Sequence, residues 1–281
     1  MSTRILHVSD LHFGAGNAHR EPRAEEALAE LVDRIKPALV IASGDLTHRG
    51  RRAQHEEAAA FLHSLGPPLL AVPGNHDIPF TPPSRFTHPW REFERQWETT
   101  QPLHATAALH VVGLNSVRSW RHQSGGIRDA QLRTATERLR AAQTGALRVV
   151  ALHHQLVNAP WRTRKRPVAR RGHVLGRLVD AGAELIVSGH VHQGTVAERR
   201  EFQIVTGDAR SVVVTTAPGL ARPRPNRLHE AHGVFVYTAD ERHLGVETYF
   251  WQVEEWRLTA RRSFPRGPSR SFLRAPYLTH S

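Results

Sequence analysis

The chain has 281 residues, with 38 Lys and Arg against 26 Asp and Glu for a formal charge of +12, so it can bury a core as one large domain and will attract anions. It has no cysteine, which excludes disulfides and thiolate metal sites and leaves His, Asp, Glu, Asn and backbone oxygen to hold any metal, a donor set suited to harder cations. Met-Ser-Thr-Arg leads straight into an apolar strand without a signal-type segment, and no run of about 18 apolar residues occurs, so a cytoplasmic protein without a membrane span is expected. Only Lys36 and Lys165 are lysines. GC-rich coding also produces a surplus made almost wholly of arginine, so the charge argues for non-specific attraction and for no particular partner.

Residues 5–8, Ile-Leu-His-Val, read as a short buried strand, followed by Asp10 and His12. Glu21–Pro22 opens a predicted helix to Lys36, with Ala24, Ala27, Leu28, Leu31, Val32 and Ile35 on one stripe and Pro37 as its stop. A strand over 38–42 delivers Asp45, a helix over 52–65 closes on Gly66-Pro67-Pro68, and the apolar run 69–72 ends in Pro73-Gly74-Asn75-His76-Asp77. This βαβαβ alternation predicts parallel strands whose carboxyl ends form a ligand-binding edge, and Asp10, Asp45 and Asn75 all fall there. Residues 78–108 read as an irregular lid or side wall with a short amphipathic helix from Trp90 to Trp97, its tryptophans suited to packing more than to base stacking.

A strand over 109–114 precedes Asn115–Ser116, and Gly125-Gly126-Ile127 leads into a helix from about Asp129, a candidate N-cap, to Ala142. The strand 147–152 delivers His153 and His154. The densest basic run follows, at 161–171, either a solvated loop or a phosphate-attracting rim above the site. A helix over 172–181 and a strand over 183–188 end at Gly189-His190-Val191-His192. Beyond Gly194 the pattern turns to short β-rich runs at 203–205, 211–216, 233–238 and 244–251, read as a second sheet packed on the first. The expected organisation is one domain over 1–262, βαβ-rich to 195 and β-rich from 196, followed by a basic Pro/Arg/Ser-rich tail over 263–281.

Five apolar runs thus end in metal-type side chains: Ser9-Asp10-Leu11-His12, residues 43–50 (SGDLTHRG), residues 73–77 (PGNHD), Leu152-His153-His154 and residues 188–192 (SGHVH). With 20 histidines in the chain, any one alone signals little. Five in this order resemble the calcineurin-like metallophosphoesterase family, and within it the bacterial cyclic-nucleotide phosphodiesterases. The resemblance covers about the first 195 residues. It implies two packed mixed β-sheets flanked by helices, a four-layer αββα sandwich of the α/β class.

The resemblance also implies a site for two divalent or trivalent ions, with Mn, Fe or Zn as candidates. One ion would take Asp10, His12, Asp45 and His192, and the other Asp45, Asn75, His153 and His190, so that Asp45 bridges. Such a pair acidifies a shared water into a bridging hydroxide and clamps the phosphoryl oxygens. Two divalent ions against two aspartates and one hydroxide leave the site net positive, and a third carboxylate in place of Asn75 would weaken that attraction. The resemblance places His76 beside the leaving group as general acid. Asp77 either orients His76 or caps the following turn. His154 lines the pocket with Asn75 and His76 as a substrate contact, or replaces His153 as ligand; the family's usual proline after this pair is Gln155 here.

The function expected is metal-dependent hydrolysis of phosphodiester bonds in a small nucleotide. A phosphomonoesterase or DNA exonuclease of the same fold, and a non-catalytic metal-binding scaffold, are the alternatives. Nucleic acid is the less favoured partner because no basic stripe interleaved with aromatics is evident.

Overall fold

The computed structural model describes residues 2–16, 21–121, 123–159, 163–202, 209–221 and 231–266. In chain order the elements are β1 (Thr3–Val8), α1 (Pro22–Ile35), β2 (Leu39–Ala42), α2 (Arg52–Ser64), β3 (Leu69–Ala71), α3 (Ser84–Thr87), α4 (Arg91–Trp97), β4 (Leu103–Ala105) and β5 (Leu109–Gly113). There follow α5 (Asp129–Arg140), β6 (Leu147–Ala151), α6 (Arg171–Asp180), β7 (Leu185–Ser188), β8 (Thr195–Phe202), β9 (Ala209–Thr216), β10 (Gly233–Ala239), β11 (His243–Gln252) and β12 (Glu255–Pro265).

Two six-stranded sheets result, ordered β12-β11-β10-β1-β2-β3 and β4-β5-β6-β7-β9-β8. In the first, β1, β2 and β3 are parallel, with Ile5 opposite Leu39 and Val40 opposite Leu69. In the second, β5, β6, β7 and β9 are parallel, while the edge strands β4 and β8 run antiparallel. Strands covered on both faces must be apolar throughout, and the two faces bury different partners. Ile5, Leu39, Ile41 and Leu70 meet Val111, Val149, Leu185 and Val187 between the sheets. Leu6, Val8 and Val40 face outward onto Leu28, Leu31 and Leu62 of α1 and α2. Val112, Val150 and Ile186 pack against Leu132, Leu139 and Leu178 of α5 and α6. These four layers are the expected αββα sandwich.

The sheets do not divide the chain at residue 195 as expected. β5, β6 and β7 build the second sheet, and β10, β11 and β12 return to the first, where β10 pairs antiparallel with β1. An apolar run states that a strand is buried on both faces but carries no record of which sheet receives it. The tail boundary also shifts, because β12 continues through Ser263 to Pro265, opposite His243 of β11. Its residues are mostly exposed, and a charged edge of this kind discourages pairing with other chains. The strand expected at 203–205 and the tail from 267 lie outside the described residues. α4 is the helix expected at 90–97; it turns Phe93 fully inward and lays Trp97 partly buried against the first core. Arg128, and not Asp129, holds the N-cap position of α5.

Candidate metal centre

Each site segment follows the carboxyl end of a parallel strand: Asp10 after β1, Asp45 after β2, Asn75 after β3, His153 after β6 and His190 with His192 after β7. Backbone bonds stitch these ends together. Asp10 N–H donates to Gly44 O and His12 N–H to Asp45 O, while Gly189 N–H donates to His153 O across the second sheet. A side-chain bond joins the sheets, from His190 N–H to Asp10 Oδ2 at 2.9 Å. Asp10, His12, Asp45, His190 and His192 all sit at positive φ, between 51° and 74°, a region that non-glycine residues enter at a cost and mainly at functional sites.

The turn at Gly74 packs tightly against the loop that carries Asp45. A Cβ added there would lie 2.1 Å from Asp45 N and 2.2 Å from Asp45 Oδ1, so glycine is required for the carboxylate to stand where it does.

Two groups of ligand atoms converge around Asp45. On one side, His192 Nε2 lies 3.1 Å from Asp10 Oδ1 and 3.5 Å from His12 Nε2, which is itself 4.0 Å from Asp45 Oδ2. On the other, His153 Nε2 lies 3.3 Å from Asp45 Oδ2, 3.2 Å from Asn75 Oδ1 and 3.1 Å from His190 Nδ1. Asp45 is thus common to both, and Asp10, Asp45 and His153 also cluster directly. The seven side chains are buried.

The protonation pattern identifies what this arrangement accepts. A carbonyl can only accept, so His153 Nδ1 donates to Ser43 O at 2.9 Å and His190 Nε2 to Gln123 O at 3.0 Å. In their neutral forms both rings then aim lone pairs at one another across 3.1 Å. Such an array is repulsive until a proton or cation enters, and carbonyl-fixed tautomers of this kind are the usual support of metal-ligating histidines. Among the described residues, Asp10 Oδ1 accepts no well-directed hydrogen bond although it is buried. The donor set therefore fits two N/O-ligated cations.

The electrostatics agree. Burial pushes the Asp10 and Asp45 carboxyls up, but His192 beside the first and His153 beside the second outweigh it and hold both well below the usual carboxylate range. Burial opposes charge on His153 as well, yet Asp45 and Asp10 lift it to about 9. Burial keeps His12, His154 and His190 well below the usual imidazole value, reinforced at His190 by Lys165.

His76 is half-buried, its ring 4.9 Å from that of His12. Its Nδ1 donates to His48 O at 2.8 Å and His48 stacks on it, so the carbonyl leaves Nε2 available to the cleft. Asp77, expected either to orient His76 or to cap the following turn, bonds to the loop after β2 and to the start of its own turn. Asp77 Oδ1 accepts from Thr47 N and Oγ1 at 2.8 and 3.0 Å, and Oδ2 from Gly74 N at 2.8 Å. A buried carboxylate needs several donors, and Thr47 and Gly74 supply them. His154 is buried beside His190, with ring centroids 4.6 Å apart. Its Nδ1 is 2.9 Å from Ser116 Oγ, and its Nε2 has no hydrogen-bond partner among the described residues.

Sequence reasoning did not single out His48, Ser43, Gln123 or Ser116, the groups that fix these rings. Three of them act through backbone carbonyls, which leave no signature in residue type. The basic run reaches the site through Lys165, whose ammonium donates to His190 O; Trp161 and Arg162 of that run lie outside the described residues.

Purple acid phosphatase from yellow lupin seeds superposes with a TM-score of 0.67 at 13% identity, covering 95% of this chain, which spans about half (54%) of the lupin protein. GAP50, the anchor in the inner membrane complex of Plasmodium, gives a TM-score of 0.68 at 10% identity over 96% of this chain and 90% of that one. At these identities the likeness concerns the fold. The family comparison adds function: the protein is a phosphoric ester hydrolase of a class that uses a dinuclear metal centre. Residues 3–194 match the family model described as calcineurin-like phosphoesterase, and the chain belongs to that family. A probable cyclic nucleotide phosphodiesterase of Synechococcus sp. is 26% identical over 207 residues, 71% of this chain and 77% of that protein. No helix among the described residues is long and apolar enough to cross a membrane.

Proposed function

We propose that the chain hydrolyses the phosphodiester bond of a small nucleotide, such as a cyclic nucleotide, with two N/O-ligated cations (Mn, Fe or Zn) at this centre. The observation that carries this reading is the pair of converging ligand sets that share Asp45. Asp10, His12, Asp45 and His192 would hold one ion, and Asp45, Asn75, His153 and His190 the other. Bound there, such ions supply Lewis acidity toward water and the phosphoryl oxygens.

The remaining steps belong to the chain's own groups. Asn75 contributes a neutral amide, so that two carboxylates face the cations and the centre keeps a positive balance for an anionic ester. His76, with Nδ1–H tied to a carbonyl, would give a proton from Nε2 to the leaving oxygen as the imidazolium, leaving the neutral ring with its Nδ1–H bond intact. His154, its Nδ1 held by Ser116, offers Nε2–H to a phosphoryl oxygen. The diester preference is supported by the name borne by the Synechococcus relative.

Metal-stripped protein given Mn²⁺ should cleave a bis-aryl phosphodiester and then cyclic nucleotides, and Asn75→Ala should remove most of that turnover while leaving the far-ultraviolet spectrum unchanged. Absence of turnover with Mn²⁺, Fe²⁺ and Zn²⁺ alike would refute the reading.

A further inference from the structure

A cavity of about 390 Å³ is lined by Arg118, Trp120, Arg121, Gly126, Arg128 and Arg170 among others. We propose that it is a second anion subsite, which binds an additional phosphate carried by the substrate and stacks the adjoining base on Trp120. The proposal deepens the phosphodiesterase reading and rests on it: it selects, among small nucleotide diesters, those with a phosphate besides the one being cleaved.

The first argument is charge. Arg118 is 8% exposed, and its guanidinium bonds only neutral acceptors, Val117 O at 2.9 Å and Gln131 Oε1 at 2.7 Å. Burial pulls it down to about 10, and Arg128 and Arg121 add to that. Among the described residues, no carboxylate pairs with Arg118, Arg121 or Arg128. Asp129, which also lines the cavity, pairs with Arg170 at 2.8 Å. Four guanidiniums against one carboxylate is an imbalance that a dianionic phosphate would relieve. The larger groove at the other end of the molecule contrasts with it: there Arg4, Arg34, Arg261 and Arg262 are interleaved with Asp240 and Glu247, and Arg261 already bonds Glu247 at 2.7 Å.

Backbone placement is the second argument. α5 and α6 both begin at this cavity, through Arg128 with Asp129 and through Arg170. The first-turn N–H groups of a helix have no intrahelical acceptor and carry partial positive charge, so two such termini reinforce the arginines around an anion. Trp120 is 58% exposed, with the Arg128 guanidinium 6.0 Å from its ring centre. An aromatic face beside arginines suits a nucleobase next to its phosphate.

Connection to the reacting centre is the third. The cavity wall at Gly126 is one residue from Gly125, where a Cβ would lie 2.6 Å from His154 Cγ. Gln123, in the same segment, holds His190 through its carbonyl. The loop is fixed from behind by buried Arg85, which donates to Ser119 O, Pro79 O and Arg121 O at 2.8, 3.1 and 3.2 Å. The segment that lines the cavity therefore also carries the groups that touch His154 and His190.

The test compares a 5′-phosphorylated dinucleotide with its dephosphorylated form, using a bis-aryl phosphodiester as control. The wild-type chain should show a KM about tenfold lower for the phosphorylated form, the size expected of one charge-assisted contact. Arg121→Gln combined with Arg128→Gln should abolish that difference while bis-aryl turnover stays within about twofold; Arg52→Gln combined with Arg95→Gln, an equal charge loss on the exposed faces of α2 and α4, should leave it intact. Equal KM values in the wild type, or a preference that survives the double variant, overturn the subsite. A parallel titration of the full chain with adenosine 5′-monophosphate, followed by tryptophan fluorescence, does not depend on turnover. Saturable quenching that disappears in Trp120→Phe and in the double variant supports the subsite even if the bis-aryl ester is untouched and the phosphodiesterase reading fails. Absence of such quenching then overturns it.

Discussion

Gly74→Ala is the substitution for which the structure gives the sharpest expectation. The added methyl would lie 2.1 Å from Asp45 N and 2.9 Å from Asp45 Cα, well inside any contact real carbon atoms make, and backbone atoms cannot rotate away. The turn must back off by about 1 Å, which a close-packed interior resists. Three bonds sit in the path of that movement: His76 N to Asp45 Oδ1 at 2.8 Å, Gly74 N to Asp77 Oδ2 at 2.8 Å, and the 3.3 Å approach of Asp45 Oδ2 to His153 Nε2. Overpacking costs about 1–3 kcal/mol and losing one hydrogen bond to a charged group about 1.5–3 kcal/mol, so about 3–5 kcal/mol is expected. At about 2–4 °C per kcal/mol for domains of nearly this size, Tm should fall by about 10 °C. Thermal unfolding and metal analysis check this together, because the same displacement separates Asp45 from its partners. A variant that melts within about 2 °C of wild type and retains two metal ions would refute the claimed contact and the role of Asp45 in joining the two ligand sets.

Three further outcomes follow from the same geometry. The folded-state value of His153, about 9, lies above the ordinary 6.5, so its contribution to the metal-free chain is complete below pH 6.5 and disappears as pH rises through about 9. Since metal binding needs the neutral ring, Mn²⁺ affinity should climb over that window while metal-free Tm falls; affinity flat between pH 6.5 and 9 would contradict the Asp45–His153 pairing. Asp77→Asn replaces one acceptor oxygen by a donor facing an N–H of Thr47 or Gly74, and should cost about 2–4 kcal/mol in denaturant unfolding. His76→Ala should slow esters with poor leaving groups about 10²–10⁴-fold and leave activated aryl esters much less affected, as read from a leaving-group series; equal losses on both would exclude a proton-donor role.

Much of this was legible in the sequence because the strands that carry the site are apolar on both faces and end abruptly in polar residues. Asp10, His12, Asp45, Asn75, His153, His190 and His192 could be picked out one strand end at a time, and they do meet. What could not be read was anything settled by backbone atoms. The carbonyls of Ser43, Gln123 and His48 choose which nitrogen of His153, His190 and His76 is free, and any residue type could supply them. Asp77 had the right chemistry for two roles, and its observed donors, Thr47 and Gly74, come from the loop after β2 and from the preceding residues of the turn. The division of strands between the sheets was equally hidden, since β5 is buried throughout and β10 at all but Thr238, yet they belong to different sheets.

The left-handed backbone at Asp10, His12, Asp45, His190 and His192 has an evolutionary corollary. Each of these residues is held in a conformation that glycine or asparagine tolerates more easily, so a lineage released from the need to bind cations would gain stability by replacing them. Descendants that have lost the chemistry should therefore accumulate glycine and asparagine at 12, 190 and 192 before their cores drift.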